Sequence, residues 1–200
     1  MTKLFTTSAI IASTLLVGTA CAASTPVQEP EEVAASVEPV EVVMDIEKVW
    51  TCPDCSPNEK FVLKELQDRT NITDRNALAT IMGNIRSESN FYANICEGGA
   101  RVPYERCYSG GFGLIQWTTL NRYNGLGNFA YKYNCNPTSL DCQVRYMINE
   151  NQFQNEIPCW EKGGQSIGYY MRSAYRWLGW GIKGYREQYA YDYSKRMVLA

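Results

Sequence analysis

The chain has 200 residues, 45% of them hydrophobic and 20% charged, with a net charge of −2, enough apolar material to fill one core and too much for global disorder. It contains no histidine, which excludes a Ser-His-Asp triad, a Cys-His thiol protease or amidase, and a His-ligated catalytic zinc. Acid-base chemistry falls mainly to carboxylates, and a carboxylate pair suits a glycosidic bond better than a peptide bond.

Lys3 is followed by a stretch without charge from Leu4 through Thr25, the pattern of an export signal. Ala20-Cys21-Ala22 supplies a small-x-small cleavage site, so residues 1–22 read as a signal peptide with the mature start near Ala23. Two alternatives stand beside it. Cys21 is an acylated lipoprotein cysteine, although Gly18 occupies the position where a larger aliphatic is usual. Or the segment stays as a weak membrane anchor, just long enough to span a bilayer. Residues 24–47 then hold seven acidic residues, no basic ones and Pro26, Pro30 and Pro39, a composition that buries too little apolar surface to offset ordering entropy. We read 23–55 as an acidic disordered linker and 56–200 as the folded domain. Without that acidic stretch and Lys3, residues 48–200 carry 14 acidic and 18 basic residues, about +4. That mild bias suits either an anionic polymer or an ordinary solvated surface.

Ser56, Pro57 and Glu59 form a helix start, with Ser as cap, Pro at the first helical position and Glu three residues past the cap; the helix runs to about Asp68. A second helix begins after Thr73 and places Leu78, Ile81, Met82 and Ile85 on one face. Residues 97–118 are rich in glycine and aromatics and lack helical periodicity, which predicts a loop or short hairpin. Ser139 precedes a further helix with Leu140, Val144, Met147 and Ile148 on one side. Ile167, Tyr170, Met171, Ala174 and Leu178 mark another, and Tyr185, Tyr189 and Tyr193 the last. The predicted class is mainly α, with a short irregular or hairpin segment.

Seven cysteines lie beyond the export segment, and an oxidising compartment makes disulfides their default fate. Local pairing suggests Cys96 with Cys107 and Cys135 with Cys142. The odd number leaves one over, to stay free, pair between chains, or join Cys21 if that residue is retained. Cys52-Pro-Asp-Cys55 suits a structural disulfide, a redox pair or half of a zinc site.

Glu88 falls three residues after Ile85 and seven after Ile81, so its side chain extends the apolar face. A carboxyl held among hydrophobic neighbours resists ionisation, and a shift of two units is about 2.7 kcal/mol of bias toward the proton-bearing form. Arg86, two positions away, projects elsewhere and need not neutralise it. The bland alternative is a frayed helix end with Glu88 in solvent. Further on, Ser109-Gly110-Gly111-Phe112-Gly113-Leu114-Ile115-Gln116-Trp117-Thr118 combines close backbone approach with an amide and a flat ring, a common way to hold a sugar. A glycine-rich hairpin packed on Trp117 has the same sequence. Neither a GKS/GKT ending nor a GxGxxG spacing is present for phosphate.

Together, IMGNIRSESNF and GGFGLIQWTTLNR resemble the phage tail lysozyme family, within the lysozyme and lytic transglycosylase superfamily. SLDCQVRYMINE looks like that family's Asp-x-x-Gln helix, here Asp141 to Gln143 with the spacing shortened by one. The resemblance implies a lysozyme-like fold and cleavage of the β-1,4 bond between N-acetylmuramic acid and N-acetylglucosamine in peptidoglycan, by an exported or virion-associated protein. Glu88 matches the general acid, and Gly113, Leu114, Gln116 and Trp117 match the cleft wall. Glu97 and Glu105 are the candidates for a second carboxylate, with Asp141 behind them. Without one, the sugar's own 6-hydroxyl attacks and leaves a 1,6-anhydro end, as in a lytic transglycosylase. A non-catalytic wall-binding or virion structural protein is the alternative from another class. No cofactor, metal or nucleic-acid partner is called for.

Overall fold

A computed structural model describes residues 49–108 and 110–200. The segment expected to be a signal peptide, Cys21 and most of the expected acidic linker lie outside them. In chain order the elements are strand β1 (Trp50–Thr51), helices α1 (Pro57–Arg69) and α2 (Arg75–Ser89), and a 3-10 turn (Tyr104–Arg106). Then come α3 (Leu120–Tyr133), α4 (Leu140–Asn149), α5 (Asn151–Gln154), α6 (Ile157–Trp160), α7 (Ile167–Leu178), α8 (Arg186–Arg196) and strand β2 (Val198–Leu199). The class is mainly α, as the periodicity predicts.

The caps explain where the helices begin. At α1, the Ser56 hydroxyl accepts from the Glu59 N–H while the Glu59 carboxylate accepts from the Ser56 N–H, a complete capping box with Pro57 inside it. Asp74 caps α2 through the Ala77 N–H at 3.0 Å, and Ser139 caps α4 through the Cys142 N–H. Helix α2 is buried on every side from Ala77 to Ile85, more than the one face its periodicity predicts, because α1, α7 and α8 all pack against it. It ends at Asn90, in the left-handed region at φ 49°.

The linker boundary needs correction. Residues 49–55 belong to the folded body: β1 pairs antiparallel with β2, Trp50 opposite Leu199, and Cys52 is 1% exposed. The paired strands join the start of the described chain to its end. Disulfides Cys52–Cys55, Cys96–Cys107 and Cys135–Cys142 are formed, the last two as predicted. Cys159 is disulfide-bonded as well. The tyrosine stripe of α8 is corrected as well. Tyr193 is fully buried, but Tyr185 is 68% exposed, and the inward face is Arg186, Ala190 and Tyr193.

Candidate active site

Gly83 sets the site by letting two helices touch. A Cβ there would lie 2.5 Å from the backbone nitrogen of Ala190 and 2.9 Å from the carbonyl oxygen of Arg186, so only glycine admits α8 this close to α2. One turn further along α2, Glu88 meets α8. Its side chain is 15% exposed, so the frayed, solvent-facing alternative does not hold. The purely apolar setting does not hold either, because the Arg186 Nη2 donates to Glu88 Oε1 at 2.5 Å across 98 residues of sequence. Arg186 is itself buried, donates Nη1 to the carbonyls of Ile182 and Lys183, and has its guanidinium 4.9 Å from the Trp180 ring centroid. Its buried Nε has no partner among the described residues. Arg86 does project elsewhere, to Asp192 at 3.0 Å and the face of Tyr189.

Ser89 joins the acid's helix to the glycine-rich wall. Buried, it donates its hydroxyl to the Leu114 carbonyl at 2.7 Å. Gln143 of α4 clamps the same loop: its Oε1 accepts from the Leu114 N–H at 2.8 Å, while its Nε2 donates to the carbonyls of Ala93 and Pro137, each at 2.7 Å. Gly113 sits at φ +73° with Gln143 where a Cβ would be, 2.5 Å from its Oε1, which is why this wall position is glycine. Gln116, also at positive φ, turns its Nε2 back onto the carbonyls of Gly113 and Ile95. The Glu-Ser and Gly-Leu motifs are thus hydrogen-bonded to each other.

Two wall residues change role. Trp117 and Leu114 are both 0% exposed, so neither side chain offers a face to a sugar. Trp117 instead donates its Nε1 to Glu150 Oε2 at 3.2 Å. Glu150, 5% exposed, also accepts from the Trp177 Nε1 and takes Arg122 in a two-pronged pair at 3.0 and 2.6 Å. This network was missed from sequence. The signal was present: Glu150 follows Met147 by three, the same relation that singles out Glu88 after Ile85.

The remaining carboxylates separate. Glu97 is exposed, accepts from the Gly111 N–H at 3.1 Å, and fills the space where a Gly110 Cβ would stand. It therefore rides on the wall. Glu105 lies exposed in the 3-10 turn, beside the stacked rings of Tyr104 and Tyr123, whose centroids are 4.3 Å apart. Burial pushes the Tyr123 phenol up to about 12, keeping it a donor to the Tyr104 carbonyl. Asp141 is exposed and pairs with Arg145 one turn on. Tyr92, four residues past Glu88, is a solvent-facing aromatic with the Arg101 guanidinium 3.2 Å from its ring centroid, and Tyr108 in the loop beyond is 89% exposed. A cavity of about 340 Å³ lined by Asn58, Asn90 and Tyr92, among others, opens at the turn after Glu88. A larger one, about 650 Å³, lies between β1 and α1, away from the site. Among the described residues, no acidic or cysteine cluster is spaced to hold a metal ion, and no helix is long and apolar enough to cross a membrane.

A mainly α fold with an inward glutamate at a helix end, tied to a glycine-rich wall, defines a lysozyme-like protein. The chain belongs to the phage tail lysozyme family, which matches it over residues 58–176. At family level this makes it a peptidoglycan glycosidase, and membership together with the disulfides fits an exported or virion-associated protein. Searches of curated proteins and of solved structures find no match.

Proposed function

We propose that the chain hydrolyses the β-1,4 bond between N-acetylmuramic acid and N-acetylglucosamine, with Glu88 as general acid. The observation that carries this is the Ser89 to Leu114 hydrogen bond, which fixes the residue beside Glu88 onto the glycine-rich wall. Arg186 holds Oε1, so Oε2 delivers the proton to the leaving oxygen, a contribution of about 10² to 10⁴ in rate. The arriving glycan therefore meets a carboxyl group already oriented by the Arg186 guanidinium. The wall contributes backbone and Gln116 to the glycan, while the exposed ring of Tyr92 replaces Trp117 as the stacking surface.

Glu97 is the second carboxylate in this reading, because it sits on the wall that Ser89 binds, whereas Glu105 flanks the tyrosine stack. Mass spectrometry of fragments released from peptidoglycan tests the reaction. Hydrolysis gives reducing muramic ends and Glu97→Gln releases at least tenfold fewer fragments. Products lighter by one water, made equally well by Glu97→Gln, would instead assign a lytic transglycosylase.

A further inference from the structure

The family match ends at residue 176, yet Arg186, which holds Glu88, lies beyond it. Between them runs Gly179-Trp180-Gly181-Ile182-Lys183-Gly184-Tyr185, the connection from α7 to α8. It presents Ile182 at 83% and Tyr185 at 68% exposure, and Tyr175 of α7 is 54% exposed beside it. Exposed apolar residues gathered in this way mark an interaction site more often than a plain surface. Of these, Tyr175 lines a cavity of about 450 Å³ together with Met171, Arg172, Trp180, Lys183 and Glu187. Trp180 links the cavity to the chemistry, since it lies against the Arg186 guanidinium that contacts Glu88.

We propose that this cavity is a subsite for the peptide stem of peptidoglycan, an inference that rests on the glycosidase reading. The lining matches that chemistry in kind. Met171, Tyr175 and Trp180 give an apolar floor for alanine methyl groups. Arg172, exposed over the Tyr169 ring, and Lys183 provide cations for the stem's carboxylates. Glu187 faces the free amine of a diamino acid. The Lys183 to Glu187 pair, one turn apart, joins an exposed lysine to a half-buried glutamate at the surface, so it opens at little cost when both ends gain a partner. A bare glycan strand has no ammonium and only the lactyl carboxylates of muramic acid, and uses this mixture of charges less well.

The test uses the full chain, a soluble L-Ala-D-Glu-diaminopimelate-D-Ala stem, and two polymers: intact peptidoglycan and glycan strands stripped of stems by an amidase. The free stem is expected to shift the NMR resonances of Tyr175 and Trp180. Arg172→Glu, at an exposed position, is expected to weaken stem binding about tenfold and to cut the preference for stem-bearing over bare strands by a similar factor. Tyr175→Ser gives a second reading should Arg172→Glu fail to fold. An unchanged preference, or no response to the stem, would overturn the proposal while leaving the glycosidase reading in place. So would stronger shifts from a chitin tetrasaccharide, or self-association through this face that Tyr175→Ser abolishes. Stem binding by a wild-type chain that cleaves neither polymer would keep the subsite and overturn the glycosidase reading instead.

Discussion

Four donors converge on the two oxygens of Glu150, and two of them are indole N–H groups. Charge-assisted bonds of this kind hold three parts of the molecule together: the wall through Trp117, α3 through Arg122 and α7 through Trp177. Sequence separates a core indole from a sugar-stacking indole poorly, because Trp117 closes a glycine-rich stretch between the polar Gln116 and Thr118, a setting that suits either role; only the depth of the ring decides. Trp117→Phe keeps an aromatic ring and removes the N–H. We expect it to cost about 1–3 kcal/mol of stability by leaving a buried acceptor short of a partner, read by chemical denaturation, with no change in KM for glycan. A higher KM at unchanged stability would return Trp117 to the cleft. Glu88 was legible as an inward carboxylate from its spacing to Ile81 and Ile85. Its partner was not, because Arg186 reaches it from 98 residues away and spacing reports only neighbours on the same helix.

Among the elements, the crossing of α2 and α8 positions the acid. Gly83→Ala would drive a methyl group into the α8 backbone, which cannot yield as a flexible side chain can. We expect a loss of about 1–3 kcal/mol and a fall in turnover beyond what the unfolded fraction explains, since Arg186 moves with α8. Wild-type turnover in the folded variant would contradict this. Helix starts were readable because caps are local chemistry, as at Ser56 and Ser139. Helix α3 was not readable: Gly125 and Gly127 look like loop residues, but they make room for the Tyr146 and Tyr104 hydroxyls, at 2.2 and 2.7 Å from where a Cβ would stand. Close packing selects those glycines, and no periodicity announces it. The tyrosine stripe of α8 misled for a related reason: Arg186 takes an inward position that hydropathy gives to an apolar residue.

At the scale of the whole molecule, α1 and α8 meet where the Tyr193 hydroxyl donates to Glu59. Burial alone pushes the Glu59 carboxyl up, but hydrogen bonds from Tyr193 and Ser56, with the Arg196 charge, outweigh it and hold the group below the ordinary carboxylate value. A lowered folded pKa contributes stability that is present above the unfolded value of about 4.3 and disappears as pH falls through the folded one. Glu59→Gln should therefore be about 1 kcal/mol less stable near neutrality, with the gap closing in acid; a gap independent of pH would contradict the linkage. The acidic composition of 24–47 marked a change of character in the chain, but the folded body already includes Val49 to Cys55, because β1 closes on β2 near the C-terminus, a pairing of distant segments that composition does not report. What matters for function is whether the joined glutamate and wall perform the cleavage. The most direct measurement compares wild type with Glu88→Gln for fragment release and for binding to intact peptidoglycan. The variant should bind as wild type does and release at least 10²-fold fewer fragments; equal release by both would contradict the account.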